Sequence, residues 1–131
     1  MTLEEYIERA SAEGASDVHL AAGMPPGFRI DGRLIPMQEE KLTAEECWEY
    51  AEELAAERIE SLKEIGELDA ARTFACGRRT RINLFFQQGS PAAAIRLLSN
   101  RIPELEELGL PPAVSTLPGL RRGLVIVTGE T

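Results

Sequence analysis

Between residues 67 and 98 the sequence alternates with a period of two, and turn residues cut the run into three pieces. Leu68, Ala70, Arg72, Phe74 and Cys76 form one alternating set, and Gly77 then turns the chain into "RTRINLFF". The stretch "QQGSP" turns it again into "AAAIRLLS". Three consecutive antiparallel strands are the simplest solution. On the middle strand Ile82, Leu84 and Phe86 share one face, which leaves Arg81, Asn83 and Phe85 on the other. If the second turn spans Gln87 to Ser90, or only the central two residues, paired positions place Arg81 directly opposite Arg96. An odd-length loop or a bulge would undo that pairing. Like charges across an antiparallel pair are destabilising, so the register predicts an anion or a carboxylate between the two guanidinium groups.

The first half is written differently. "TLEEYIERA" starts with Thr2 and Glu5 at capping-box spacing and carries Leu3, Tyr6, Ile7 and Ala10 at helical intervals, with Gly14 as its stop. "SDVHL" and "GFRIDGRLIPM" read as strands, the second a hairpin whose Asp31-Gly32 pair suits a two-residue turn. A second capping box, Thr43 and Glu46, opens a helix with Cys47, Tyr50, Ala51 and Leu54 on one face. A following helix carries Ile59, Leu62 and Ile65 and stops at Gly66. The pattern as a whole is α+β. With 131 residues and 44% hydrophobic side chains, the chain suffices for about one domain that buries roughly two-thirds of its unfolded surface.

Charge is unevenly distributed. The net charge of -8 argues against non-specific nucleic-acid binding, which requires cations to neutralise phosphates. Residues 1 to 69 hold 18 acids against 6 bases, whereas residues 70 to 131 hold 4 acids against 8 arginines. From Ala70 to Arg101 there are six arginines, no acid and no lysine. Arginine is the side chain that grips an oxyanion with two parallel hydrogen bonds. No apolar run approaches a membrane span and no basic, apolar leader opens the chain, which predicts a cytoplasmic setting. Cys47 and Cys76 lack metal-site spacing and read as ordinary half-buried thiols. Asp17 and His19 share a strand face without an accompanying nucleophile, so a hydrogen-bonded structural pair is expected. Trp48, on an acidic helix, reads as a packing residue or a subunit contact.

The last thirty residues change character. Pro111-Pro112 and Pro118-Gly119 punctuate a linker over residues 103 to 122, after a first domain at 1 to 102. "GLVIVTGET" then reads as a buried strand running into a glycine loop, with Gly129 where a phosphate loop would begin.

Three segments in register, "GASDVHLAAGMPPGFRIDGRL", "RTRINLFFQQGSPAAAIRLLSNRIPELEELGLPP" and "RRGLVIVTGET", resemble the amino-terminal domain of the PilT-type twitching motility ATPases. These belong to the type II/type IV secretion and pilus superfamily of hexameric motors, and the resemblance spans essentially the whole chain. The short lead and "AAGMPP" are closer to retraction motors than to pilus-extension or secretion motors. The resemblance implies a PAS-like antiparallel sheet with flanking helices, followed by the linker and, at 123 to 131, the first strand of a missing RecA-like ATPase domain. It implies a nucleotide-contacting and subunit-packing role in type IV pilus retraction, with ATP and Mg2+ bound by the full-length homohexamer and a pilus inner-membrane platform protein as partner. The location implied is the cytoplasm, at the inner face of the membrane through that partner. Arg81 and Arg96 match the family arginines that reach the terminal phosphates, and Gly129, Glu130 and Thr131 match the start of the phosphate loop. Glu130 departs from the proline usual in the family. The fragment alone is then expected to be inactive and to hold no cofactor. A stand-alone PAS-like sensor or oligomerisation module, its arginines paired with acids of a neighbouring copy, is the other reading.

Overall fold

Both capping boxes form. The Thr2 and Thr43 hydroxyls accept from the Glu5 and Glu46 amides, and the two glutamate carboxylates reach back to the cap amides. These caps satisfy amides that an uncapped helix leaves open and set the starts of α1 (Leu3–Ala12) and α2 (Ala44–Ala55). α2 ends at Ala56, which sits at φ +49° and so breaks the helix, and a 3-10 turn leads into α3 (Ile59–Ile65). Gly66, at φ +86°, supplies the left-handed residue that closes α3. The computed structural model describes residues 1–99 and 101–129.

The strands are β1 (Asp17–Leu20), β2 (Gly27–Ile30), β3 (Arg33–Pro36), β4 (Glu67–Thr73), β5 (Arg79–Gln87) and β6 (Ser90–Leu97). They form one antiparallel sheet in the order β3-β2-β1-β6-β5-β4. Asp31 and Gly32 turn the first hairpin, and Gln88 and Gly89 turn the β5–β6 hairpin, each pair with both φ angles positive. The two hairpin systems meet where β1 pairs with β6, a junction that joins residues about eighty apart in sequence. The predicted run through Cys76 is shorter in the structure: β4 ends at Thr73, where the Phe74 amide bonds to the Arg78 carbonyl and opens a turn. That turn exposes Cys76, while Cys47 is buried on the core-facing side of α2, so the two thiols are not alike.

The helices cover one face of the sheet. Leu3, Tyr6 and Ile7 of α1, Cys47, Tyr50 and Leu54 of α2 and Leu62 of α3 join Val18, Phe28, Ile82, Leu84 and Ile95 in a single core. The Tyr6 and Tyr50 rings meet edge to face at 6.0 Å, and the Tyr50 hydroxyl donates to the Met1 carbonyl at 2.8 Å. Trp48 packs edge-on to Phe86 at 5.7 Å on the same face. The chain divides into two compact units, Met1–Asn100 and Arg101–Thr131. In the second, two 3-10 segments span Leu105–Leu108 and Pro112–Gly119. Residues 124 to 129 form no strand, and Leu124, Val125, Ile126 and Val127 are exposed.

Candidate functional site

The two-residue turn at Gln88-Gly89 fixes the register, and with it the chemistry of the uncovered sheet face. Arg81 stands opposite Arg96, Arg96 opposite Asp17, and Asp17 opposite Arg29. One row across four strands therefore reads Arg29, Asp17, Arg96, Arg81. The carboxylate that the register called for is present, but it sits beyond Arg96 instead of between the two arginines.

Asp17 is buried, and both its oxygens are engaged. Oδ1 accepts from Arg96 Nε at 2.9 Å, and Oδ2 accepts from the Ser16 hydroxyl at 2.7 Å and faces Arg29 Nε at 3.7 Å. Burial alone would raise its pKa. The Ser16 hydroxyl and the Arg96 guanidinium outweigh that effect and hold the carboxyl below its ordinary value. Asp17 therefore carries a fixed negative charge that offsets one of its two arginines. Arg81 receives no such compensation. It is exposed, its other neighbour across the sheet is Ala71, and among the described residues its side chain makes no hydrogen bond or ion pair.

A groove of about 600 Å³ lies over this row. Ala71 and Ala94 contribute only methyl groups to it, while Arg58, Arg81 and Arg96 supply cations and Asp17 and Asp69 supply anions. The Asn83 amide of β5 donates across to Glu67 Oε1 at 2.8 Å and to Asp69 Oδ1 at 3.2 Å, so those β4 acids are engaged by Asn83 and not by Arg81. Arg58 donates to the Asp69 carbonyl at 2.9 Å and so stands at the same rim. An oxyanion entering the groove would meet Arg81 with its donors free and Arg96 with only Nε engaged by Asp17.

The Arg81–Arg96 pairing read from the hairpin is the register observed, with Asn83 on the same face, whereas Arg29 and Arg58 were not singled out. The hairpin register at Asp31-Gly32 could have pointed to Arg29; nothing local marks Arg58, which the break after α2 carries to the groove. The expected Asp17–His19 pair does not form. The two residues share a face, but Asp17 turns to its cross-strand partner Arg96, and His19 Nε2 is buried with no hydrogen-bond partner. Gly129 belongs to the second unit, where it is exposed, and Glu130 and Thr131 lie outside the described residues. Among the described residues no group of histidine, cysteine, aspartate or glutamate could hold a metal ion, and no helix is long and apolar enough to cross a membrane.

No protein-family model matches the chain. The uncharacterised protein YggR of Escherichia coli (strain K12) is 34% identical over the whole chain, which spans 40% of that protein. The type IV pilus retraction ATPase PilT of Pseudomonas aeruginosa is 30% identical, again over the whole chain and 38% of its own length. The crystal structure of the pilus retraction motor PilT with bound ADP superposes with a TM-score of 0.82 at 38% identity, covering 92% of this chain and 36% of that one. The chain is homologous to the amino-terminal part of the PilT-type ATPases. The match to PilT extends over the whole chain, which spans about 40% or less of the length of these relatives. The fold expected from the resemblance, an antiparallel sheet with helices, is the one observed.

Proposed function

We propose that this chain is the nucleotide-contacting amino-terminal region of a PilT-like motor that works as a homohexamer and powers type IV pilus retraction. The observation that carries this reading is the uncompensated Arg81 beside the half-compensated Arg96, both over one open groove. In the whole motor these two arginines contact the terminal phosphates of ATP, whose Mg2+ and phosphate loop belong to a following RecA-like ATPase domain. Gly129, Glu130 and Thr131 open that loop. An arginine placed on the terminal phosphate stabilises charge there and registers its loss, so the angle between the domains can follow hydrolysis. The motor acts in the cytoplasm on a pilus platform protein in the inner membrane, and this chain alone hydrolyses no ATP.

In the full-length motor, Arg81→Ala and Arg96→Ala are expected to lower ATP hydrolysis or its coupling to twitching, while circular dichroism and melting temperature stay close to those of the parent. Loss of one donor to a developing charge typically costs about 10²–10³-fold in turnover. Unchanged hydrolysis and unchanged motility in both variants would reject the role.

A further inference from the structure

Asparagine is a poor strand former, yet Asn83 holds the centre of the nine-residue β5, two residues from Arg81 on the bare face. Its surroundings supply a reason. On the β4 side Arg81 stands opposite Ala71, and its two diagonal neighbours there are Asp69 and Thr73. A diagonal neighbour on the same face of a sheet lies within reach of a long side chain, so an arginine in this place would ordinarily pair with the aspartate. Here it does not. The Asp69 carboxylate accepts from the Asn83 amide instead, through Oδ1 at 3.2 Å, and the same amide nitrogen donates to Glu67 Oε1 at 2.8 Å.

The chemistry of the amide suits this task. Its nitrogen carries two hydrogens, one for each acid, and no charge. A lysine or arginine at 83 would hold the same carboxylates, but it would set a third cation beside Arg81 and Arg96 and compete with them for an entering anion. A threonine or valine would fit the strand better and leave both acids open to Arg81. Resting on the phosphate role of Arg81, we propose that Asn83 is a positioning residue for that site. It engages Asp69 and Glu67 so that the Arg81 guanidinium stays unpaired until a phosphate reaches it. Asn83 acts through Arg81 and not by contact with the phosphate.

Side-chain NMR of the 131-residue chain tests the pairing with no ligand present. The Arg81 Nε–H signal, assigned by its loss in Arg81→Ala, is expected to exchange rapidly with water in the parent. In Asn83→Thr it should shift and exchange more slowly as Asp69 turns to Arg81, and adding Asp69→Ala should return it to the parental position. The same signal in the parent and in Asn83→Thr would overturn the proposal, because the acids would then offer Arg81 no competition. In the full-length motor Asn83→Thr should lower kcat/KM for ATP by about two- to fivefold, the competition that an exposed ion pair can offer. Adding Asp69→Ala should restore the parental value, and adding Asn83→Thr to Arg81→Ala should cause no further loss. A merely structural asparagine predicts the reverse, since a second truncation would add to the damage. No loss in Asn83→Thr, or loss without rescue, while Arg81→Ala is strongly impaired, would remove the role of Asn83 and leave the phosphate role standing. If Arg81→Ala itself leaves hydrolysis and motility unchanged, the phosphate role falls and the positioning role falls with it.

Discussion

The two faces of this sheet are built from alternate residues of the same strands, yet they obey opposite rules. On the covered face Val18, Leu84 and Ile95 are fully buried beneath three helices. On the bare face the same strands present Asp17, Arg81 and Arg96, charged groups set against small alanines. Stability is concentrated on one side, which leaves the other free to carry charges that do little for folding. Helix burial, in this arrangement, permits two arginines to oppose each other.

The difference between the faces should appear in mutational free energies. Leu84→Ala, on the covered face, is expected to cost about 2–5 kcal/mol, the range for deleting a buried leucine, read from urea unfolding midpoints. A cost below the range of surface substitutions would mean that the helices do not pack against the sheet as described.

Asp17 lies on the boundary, a buried carboxylate serving the bare face. Asp17→Asn should cost about 1–3 kcal/mol at neutral pH, through lost charge-assisted hydrogen bonds, with Arg96 left free to reach water. Its lowered pKa gives the pH dependence a sign. The stabilisation is complete above the ordinary carboxylate pKa and is lost as pH falls through the lower value of the folded state. His19 acts in the same direction at higher pH, because a histidine held neutral in the fold must charge as acid is added. Stability of the parent should therefore fall first below the histidine range and again below the carboxylate range. Asp17→Asn should flatten the second fall in a pH series of denaturation curves and deepen the first, because the Asp17 charge partly opposes the lowering of the His19 pKa; an unchanged second fall would show that another carboxylate controls it.

Arg81→Ala should give the smallest effect, within about 0.5 kcal/mol, because an exposed side chain with no partner among the described residues contributes little. A slight gain would fit the release of the like-charge contact with Arg96. A cost above 1 kcal/mol would mean that Arg81 has a structural partner and is not reserved for a ligand.

Local chemistry made much of this readable in advance. Capping boxes at Thr2 and Thr43, Gly66 and the Asp31-Gly32 turn act over a few residues, and each appears where the sequence placed it. The Arg81–Arg96 pairing was readable because one short turn fixes a whole register. The β1–β6 junction was not, because pairing between distant segments depends on the assembled fold and leaves no local signature. The position of Asp17 depends on that junction, which is why the sequence suggested His19 as its partner. The end of β4 was also misjudged. Alternation continues through Phe74 and Cys76, but the backbone bond between Phe74 and Arg78 turns the chain first.

The Gln88-Gly89 turn has a consequence for how sequences of this kind can drift. Either residue can be exchanged for another that tolerates a positive φ, and the hairpin will persist. Its length is far less free. One inserted residue would rotate β6 by half a pleat, send Arg96 into the helix-covered core and lift Ile95 into water. Variation at this loop should therefore be wide in composition and nearly absent in length, a constraint imposed by two arginines several residues away.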